Sequence, residues 1–313
     1  MKVLFIIDRL ELKYFEFNDL VTNFWIIRGL LERNANVDIA TIDNLGIINA
    51  KGFVNARKSY LKNDNIFYEK NISKKYIDDY DLVIFRPDPP VDLDYINATY
   101  VFDFVDTQKV KVINLPSAIR NFNEKLHALR FCTLMSDSLV TNSKSDILEF
   151  LDKHNKLVLK PLNSCFGSGV MLLNKGEANT TAIINSMTQN ETKKIMVQEY
   201  IDGAQNGDLR VLTLGDKILP QVIRKLPGKD DFKFNEHADK SFVPANLSNI
   251  DIENFTRIAK QLNEEGLSMV GFDVVNGKIL EINVTSPCYF IRENNYHFGG
   301  HLENTICEFL INL

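Results

Sequence analysis

The chain has 313 residues, 45% of them hydrophobic and 25% charged, with a formal net charge of -5. That composition suits a globular protein with a sizeable core and excludes disordered and fibrous classes, while the length points to two or three subdomains around a shared cleft. Lys and Arg are scattered and form no basic stripe, so nucleic acid is not an expected partner. The opening MKVLFIIDRL meets Asp8 and Arg9 after a short apolar run, as a first core strand does and a signal peptide does not. From there the first third reads as βαβ: a strand at 3–7, a helical period through 20–31 and a strand at 37–42. After a polar stretch, a strand at 81–85 ends in Arg86-Pro87-Asp88-Pro89-Pro90, where the prolines exclude helix and force an extended turn. Ligands of open α/β sheets collect at such strand ends. Helical spacing follows over 117–131, and a strand-rich stretch at 157–200 reads as a small second subdomain. Last come an amphipathic helix near 252–265 and two strands, 268–275 and 278–284, forming a hairpin around Asn276-Gly277. There is no internal repeat, and no apolar stretch of membrane-spanning length.

Cys132, Cys165, Cys288 and Cys307 form no CxxC pair, which fits reduced thiols in the cytoplasm. The five histidines match no zinc spacing and are expected to be structural. Lys160 lies in an apolar strand, where a lysine is costly unless an anion pairs with it; an edge-strand lysine kept in water is the commoner case. The loop after it, Asn163 to Val170, has small residues that let backbone N–H groups approach a phosphate, although most such loops are hairpin turns. Neither the Walker spacing nor GxGxxG is present. Asp208 and Arg210 share a strand face, as an ordinary ion pair or as a grip on a phosphate or acyl oxygen.

Asp273, Glu281 and Asn283 supply hard oxygen ligands on adjacent strands, the kind of set that holds Mg²⁺ while phosphates complete its shell; an ordinary polar face would look the same. A plain two-residue Asn276-Gly277 turn would place Asp273 opposite Leu280, on the wrong face. A shared metal therefore predicts a three-residue loop or a glycine bulge, with Gly277 at positive φ.

The order and spacing of these segments resemble the bacterial glutathione synthetases over nearly the whole chain. The resemblance rests on Arg86-Pro87-Asp88-Pro89-Pro90 with its following helix, Asn123-Glu124-Lys125-Leu126, Leu159-Lys160-Pro161-Leu162, Gln198-Glu199-Tyr200-Ile201, Asp208-Leu209-Arg210-Val211, and Gly271-Phe272-Asp273 with Glu281-Ile282-Asn283-Val284-Thr285-Ser286-Pro287. It implies an α/β ATP-grasp fold: an N-terminal Rossmann-like domain at 1–120, a lid subdomain at 121–202 and a C-terminal ATP-grasp domain at 203–313. It also implies a carboxylate-amine ligase working through an acyl phosphate, with γ-glutamylcysteine and glycine as the leading pair. Another amino-acid or peptide pair, or a nucleotide-binding protein without turnover, are the alternatives.

By the same resemblance, Arg210, Lys225 and Asn283 act at the reacting groups. Lys125, Lys160, Gly167, Gly169, Gln198, Glu199, Ile201 and Asp208 surround ATP, and Asp273, Glu281 and Asn283 hold Mg²⁺, with Mn²⁺ as an alternative ion. Arg86, Asn235, Ser286 and Arg292 face the substrate. A cytoplasmic homotetramer acting on small amino-acid or peptide substrates, without membrane or nucleic-acid partners, is the implied setting. The chain departs from the family in its lid segment, Asp231 to Asp239, where only Asn235 matches, and in Lys225, which stands in place of arginine. The loop Gly167-Ser168-Gly169-Val170 looks more like the ribosomal-protein glutamate ligases. An extra residue precedes Ile291-Arg292-Glu293, and the proline usual after Asp8 is missing.

Overall fold

The computed structural model describes residues 1–9, 21–165, 167–228 and 242–313. Strands β1 (Lys2–Ile7), β2 (Asn36–Thr41), β3 (Leu45–Ile48), β4 (Lys51–Lys62), β5 (Asn65–Tyr68), β6 (Ser73–Tyr76), β7 (Leu82–Phe85) and β8 (Lys111–Ile113) form one sheet. Its path runs β3-β4-β2-β1-β7-β8, with β5 and β6 also on β4. The β2-β1-β7-β8 part is parallel. Both faces of β1 are covered, which is why its sequence is a continuous apolar run. Val3, Phe5 and Ile7 pack with Phe24, Ile27 and Leu30 of the helix Thr22–Glu32, while Leu4 and Ile6 pack with Tyr95 of the helix Leu93–Tyr100. The last helix, Leu302–Ile311, adds Leu302, Ile306 and Leu310 to the first of these layers, so the end of the chain is built into its beginning. Because β2 and β7 flank β1 on opposite sides, the sheet switches direction at the carboxyl ends of β1 and β7, where Asp8 and Arg86 emerge.

The polar stretch before β7, given no elements from sequence, forms β3 to β6. On β4 the inward positions are Gly52, Val54, Ala56 and Ser59, too small and mixed to give a clear hydrophobic alternation.

The second sheet is antiparallel, in the order β11-β10-β12-β9, from β9 (Ser138–Thr141), β10 (Lys156–Pro161), β11 (Met171–Asn174) and β12 (Ile195–Glu199). Helices Lys144–His154 and Thr180–Met187 cover one face, with Ile147, Leu151 and Ile184 on Leu157, Leu159, Ile195 and Val197. Alternation puts Val158, Lys160, Met196 and Gln198 on the opposite face, which looks toward the third sheet.

That third sheet comprises β13 (Asp208–Leu214), β14 (Lys217–Ile218), β15 (Val222–Lys225), β16 (Phe242–Ala245), β17 (Gly271–Val275) and β18 (Lys278–Asn283). Its order is β16-β15-β13-β17-β18, with β14 on β13. The helix Asn249–Glu264 begins at Ser248, whose hydroxyl accepts from the Asp251 amide at 3.1 Å. Phe255, Ile258 and Leu262 of that helix join Leu209, Val211, Phe272 and Val274 in the core.

Two sequence expectations change here. The helical spacing over 117–131 becomes a five-residue helix, Pro116–Arg120, and, after a gap, a 3₁₀ segment, His127–Leu134. Between them the Asn123 side chain accepts from the amides of Lys125 and Leu126 at 3.1 and 3.0 Å, offering the backbone an alternative to continued helix. In the hairpin, Val275 pairs with Lys278 across a two-residue turn in which Asn276 and Gly277 have φ of 49° and 73°. Gly277 has the expected positive φ, but the extra residue lies in β18, not in the turn. The register shifts between Asp273 and Val274, so Leu280 is bulged out and Asp273 faces Glu281.

Candidate active site

One face of the third sheet carries a closed set of charges. Asp208 pairs across strands with Lys225, Arg210 with Asp273, and Asp273 with Glu281. Asp273 Oδ1 accepts from Arg210 Nε at 2.9 Å and from Lys225 Nζ at 2.8 Å; Oδ2 accepts from Arg210 Nη2 at 3.3 Å and from Asn283 Nδ2 at 3.2 Å. Lys225 Nζ is also 2.6 Å from Asp208 Oδ2. Burial opposes the charge on Asp273, yet Arg210 and Lys225 outweigh it and hold the carboxyl far below the usual carboxylate range. Asp208 moves the other way, pushed up by burial and by the Asp273 charge against the pull of Lys225. Gly207 is required by this packing: at φ of 89°, a Cβ there would lie 2.0 Å from the Lys225 carbonyl oxygen.

Beside this set lies a looser one. Lys160 is buried, and among the described residues its Nζ reaches only the Leu280 carbonyl, at 3.5 Å; burial pulls its pKa down, with Glu281 opposing. Lys125 Nζ donates to the Ser164 carbonyl at 2.7 Å and stands 3.6 Å from Glu281 Oε2. Glu281 keeps 27% of its side chain exposed. The loop from β10 to β11 curls past these lysines with Gly167 and Gly169 at φ of 65° and 71°, and Asn123 Nδ2 ties to its start through the Leu162 carbonyl at 3.2 Å.

At the switch point of the first sheet, buried Arg86 donates to Asn23 Oδ1 and to the Pro287 carbonyl, each at 2.8 Å. Ser286 Oγ donates to Asp88 Oδ1. Burial pushes the Asp88 carboxyl up to about 6, the Ser286 hydrogen bond opposing and the Asp8 charge adding. Arg292 stands five residues after Pro287. It lies on the first turn of the helix Ile291–Phe298, half exposed, with Nη2 donating to Glu293 Oε1 at 2.7 Å. Asn235 and the segment Asp231 to Asp239 lie outside the described residues.

Along β12 the two expected hinge residues part. Gln198 shares the Lys160 face, buried, with Nε2 donating to Ser138 Oγ at 3.1 Å and Oε1 without a partner among the described residues. The Glu199 side chain faces the helix side, 3.4 Å from His154 Nδ1, so only its backbone borders the cleft. Ile201 lies just past the strand end, and its carbonyl accepts from the Ala204 amide at 3.1 Å.

The model of the prokaryotic glutathione synthetase N-terminal domain matches residues 1–120, and that of the same family's ATP-grasp domain matches 124–296. A glutathione synthetase of Neisseria meningitidis serogroup A is 30% identical over 99% of this chain and 100% of its own length. The chain belongs to the prokaryotic glutathione synthetase family. A glutathione synthetase of Gloeobacter violaceus is 33% identical over 99% of this chain and 97% of its own. Among solved structures, D-cycloserine synthetase DcsG superposes with a TM-score of 0.67 at 12% identity, covering 99% of both chains. D-alanyl-alanine synthetase A of Vibrio cholerae gives 0.62 at 13%, covering 100% of this chain and 98% of its own. The fold is thus an ATP-grasp, and the family makes the chain an ATP-dependent carbon-nitrogen ligase.

Phosphoryl transfer from ATP calls for a hard divalent cation, and the residues present fit one. Glu281 is partly exposed, and Asn283, whose amide nitrogen is turned to Asp273, has no donor to its side-chain oxygen among the described residues. Asp273 fits only by releasing one of its present donors. Sequence reasoning quoted Asn123, Glu124 and Asp88 within motifs but gave none of them a role, and it missed the Asp88–Ser286 link; the polar interruption at Asn123-Glu124-Lys125 within an otherwise helical period was the local signal for the first two.

Proposed function

We propose that this chain joins γ-glutamylcysteine to glycine, with ATP cleaved to ADP and phosphate. The reading is carried by one observation: buried Lys125 and Lys160 stand together beside the Asp273 face with Glu281, 3.6 Å from Lys125 Nζ, as their one anionic contact among the described residues, a surplus of cations such as a polyphosphate site requires. Lys125, Lys160 and the amides of the Gly167–Gly169 loop would take the ATP phosphates, and Gln198, the Glu199 backbone and Ile201 the adenine, with Asp208 bordering the nucleotide. Asp273, Glu281 and Asn283 would hold the Mg²⁺, or Mn²⁺, that offsets phosphate charge. The substrate carboxylate, in the crevice of Arg86, Asp88 and Ser286, attacks the γ-phosphorus and ADP leaves; the glycine amine then attacks the acyl carbon and phosphate leaves. Arg210, with Lys225 beside it, faces the negative charge that develops in both steps.

In this reading, 1–120 is the substrate domain, 121–202 the lid and 203–313 the catalytic domain, of a cytoplasmic homotetramer acting on small peptides and amino acids. Arg292 and Asn235 complete the substrate contacts, which for Arg292 demands that it leave Glu293. That engagement favours, as a second reading, a ligase of a different amino-acid pair. Purified protein with ATP, Mg²⁺, γ-glutamylcysteine and glycine should release ADP and give a product of glutathione mass. ADP release only with other pairs would establish the second reading, and none with any pair would overturn both.

A further inference from the structure

Among the described residues, Glu124 is a part-buried carboxylate at the cleft that the ligase chemistry leaves without a task. Its Oε1 accepts from the amides of Val284 and Thr285 at 2.8 and 3.1 Å and from Thr285 Oγ1 at 3.0 Å. Its backbone carbonyl accepts from the Ile282 amide at 3.1 Å. These donors bracket Asn283, the last residue of β18, beyond which no strand among the described residues is paired to supply acceptors. Val284 and Thr285 are buried, so their amides need a partner, and a carboxylate oxygen makes charge-assisted bonds to both. A glutamate that accepts three bonds on one oxygen serves at least as a structural tie. Its neighbours argue for more: Asn123 holds the start of the phosphate loop, and Lys125 holds that loop's Ser164 while facing Glu281. Three consecutive side chains thus join three walls of the cleft, and Glu124 sets the wall that carries Asn283 and, three residues on, Ser286.

We infer that Glu124 is a positioning residue for the divalent cation, holding Asn283 and Glu281 at the height of Lys125 through its bonds to Ile282, Val284 and Thr285. The inference rests on the reading that Glu281 and Asn283 hold that cation beside the nucleotide. It is tested by calorimetric binding of ADP to the full chain, with and without Mg²⁺, for wild type, Glu124→Ala, Glu124→Gln and Thr285→Val. No amino-acid substrate is present, so a failure of glutathione formation and a failure here are distinguishable. Glu124→Ala should leave Mg²⁺-free ADP binding unchanged and cut the gain conferred by Mg²⁺ by about tenfold or more, the usual loss when a ligand's support is removed. Glu124→Gln, which keeps an acceptor oxygen, should lose less, and Thr285→Val least. A wild-type Mg²⁺ gain in both Glu124 variants, or equal weakening with and without Mg²⁺, would overturn the inference, as would a wild-type chain with no Mg²⁺ gain. Should Glu124→Ala not fold, Glu124→Gln and Thr285→Val decide: an undiminished gain in both overturns it.

Discussion

The two halves of the cleft contrast in how their charges are satisfied. Around Asp273 every carboxylate oxygen has its donors, and Arg210, Lys225 and Asn283 converge on it within 3.3 Å. Across the bulge at Leu280, Lys160 has one carbonyl at 3.5 Å and Lys125 meets Glu281 only at 3.6 Å. The first half is held by its own ion pairs, while the second carries the cost of desolvated cations that an incoming polyanion would relieve. Removal of a charge should therefore destabilise the first half and weaken ligand binding at the second.

The largest effect is expected from Asp273→Ala, which removes the buried carboxylate that Arg210 and Lys225 share and leaves Asp208 to offset them both. Denaturant unfolding should show a loss of about 3–5 kcal/mol; a loss below about 1 kcal/mol would break the contrast. Next, Arg210→Ala should lower kcat by roughly a hundredfold, as for a transition-state donor, with ATP affinity little changed. An unaltered kcat would make Arg210 a partner of Asp273 and nothing more. Lys160→Met should weaken ATP binding about tenfold, from the loss of a charged hydrogen bond, while leaving stability equal or higher; calorimetry and unfolding on one preparation measure both.

The smallest effect concerns Asp88. Its folded pKa of about 6 lies above the unfolded value of about 3.9. The folded chain binds the extra proton, so this contribution to stability is full below about pH 4 and lost as pH rises to about 6. Unfolding midpoints at several pH values should show that Asp88→Asn lacks this slope; an identical slope would place the proton elsewhere.

Much of the fold was legible because its signals are local. The buried parallel strands β1 and β7 read as apolar runs, and the helix Asn249–Glu264 reads from its period. β4 did not, since its small inward residues blur alternation. Within the site, residue types pointed to nucleotide chemistry, but their pairings did not. Asp273 was legible as an oxygen ligand, whereas its capture by Arg210 and Lys225 depends on strand register. Glu199 was legible as part of the hinge, yet which way its side chain turns depends on where β12 starts to pair with β10.

By itself the sequence determined the period of each element, the turn at Asn276-Gly277 and the inventory of lysines, carboxylates and glycines that an ATP-grasp ligase uses. The tertiary structure alone decided that the bulge falls at Leu280 and that Glu124 meets Thr285, 161 residues away. It also set Ser286 against Asp88. Period and propensity act over a few residues and are written locally; register and long-range hydrogen bonds are settled only when whole sheets pack and every buried amide must find an acceptor.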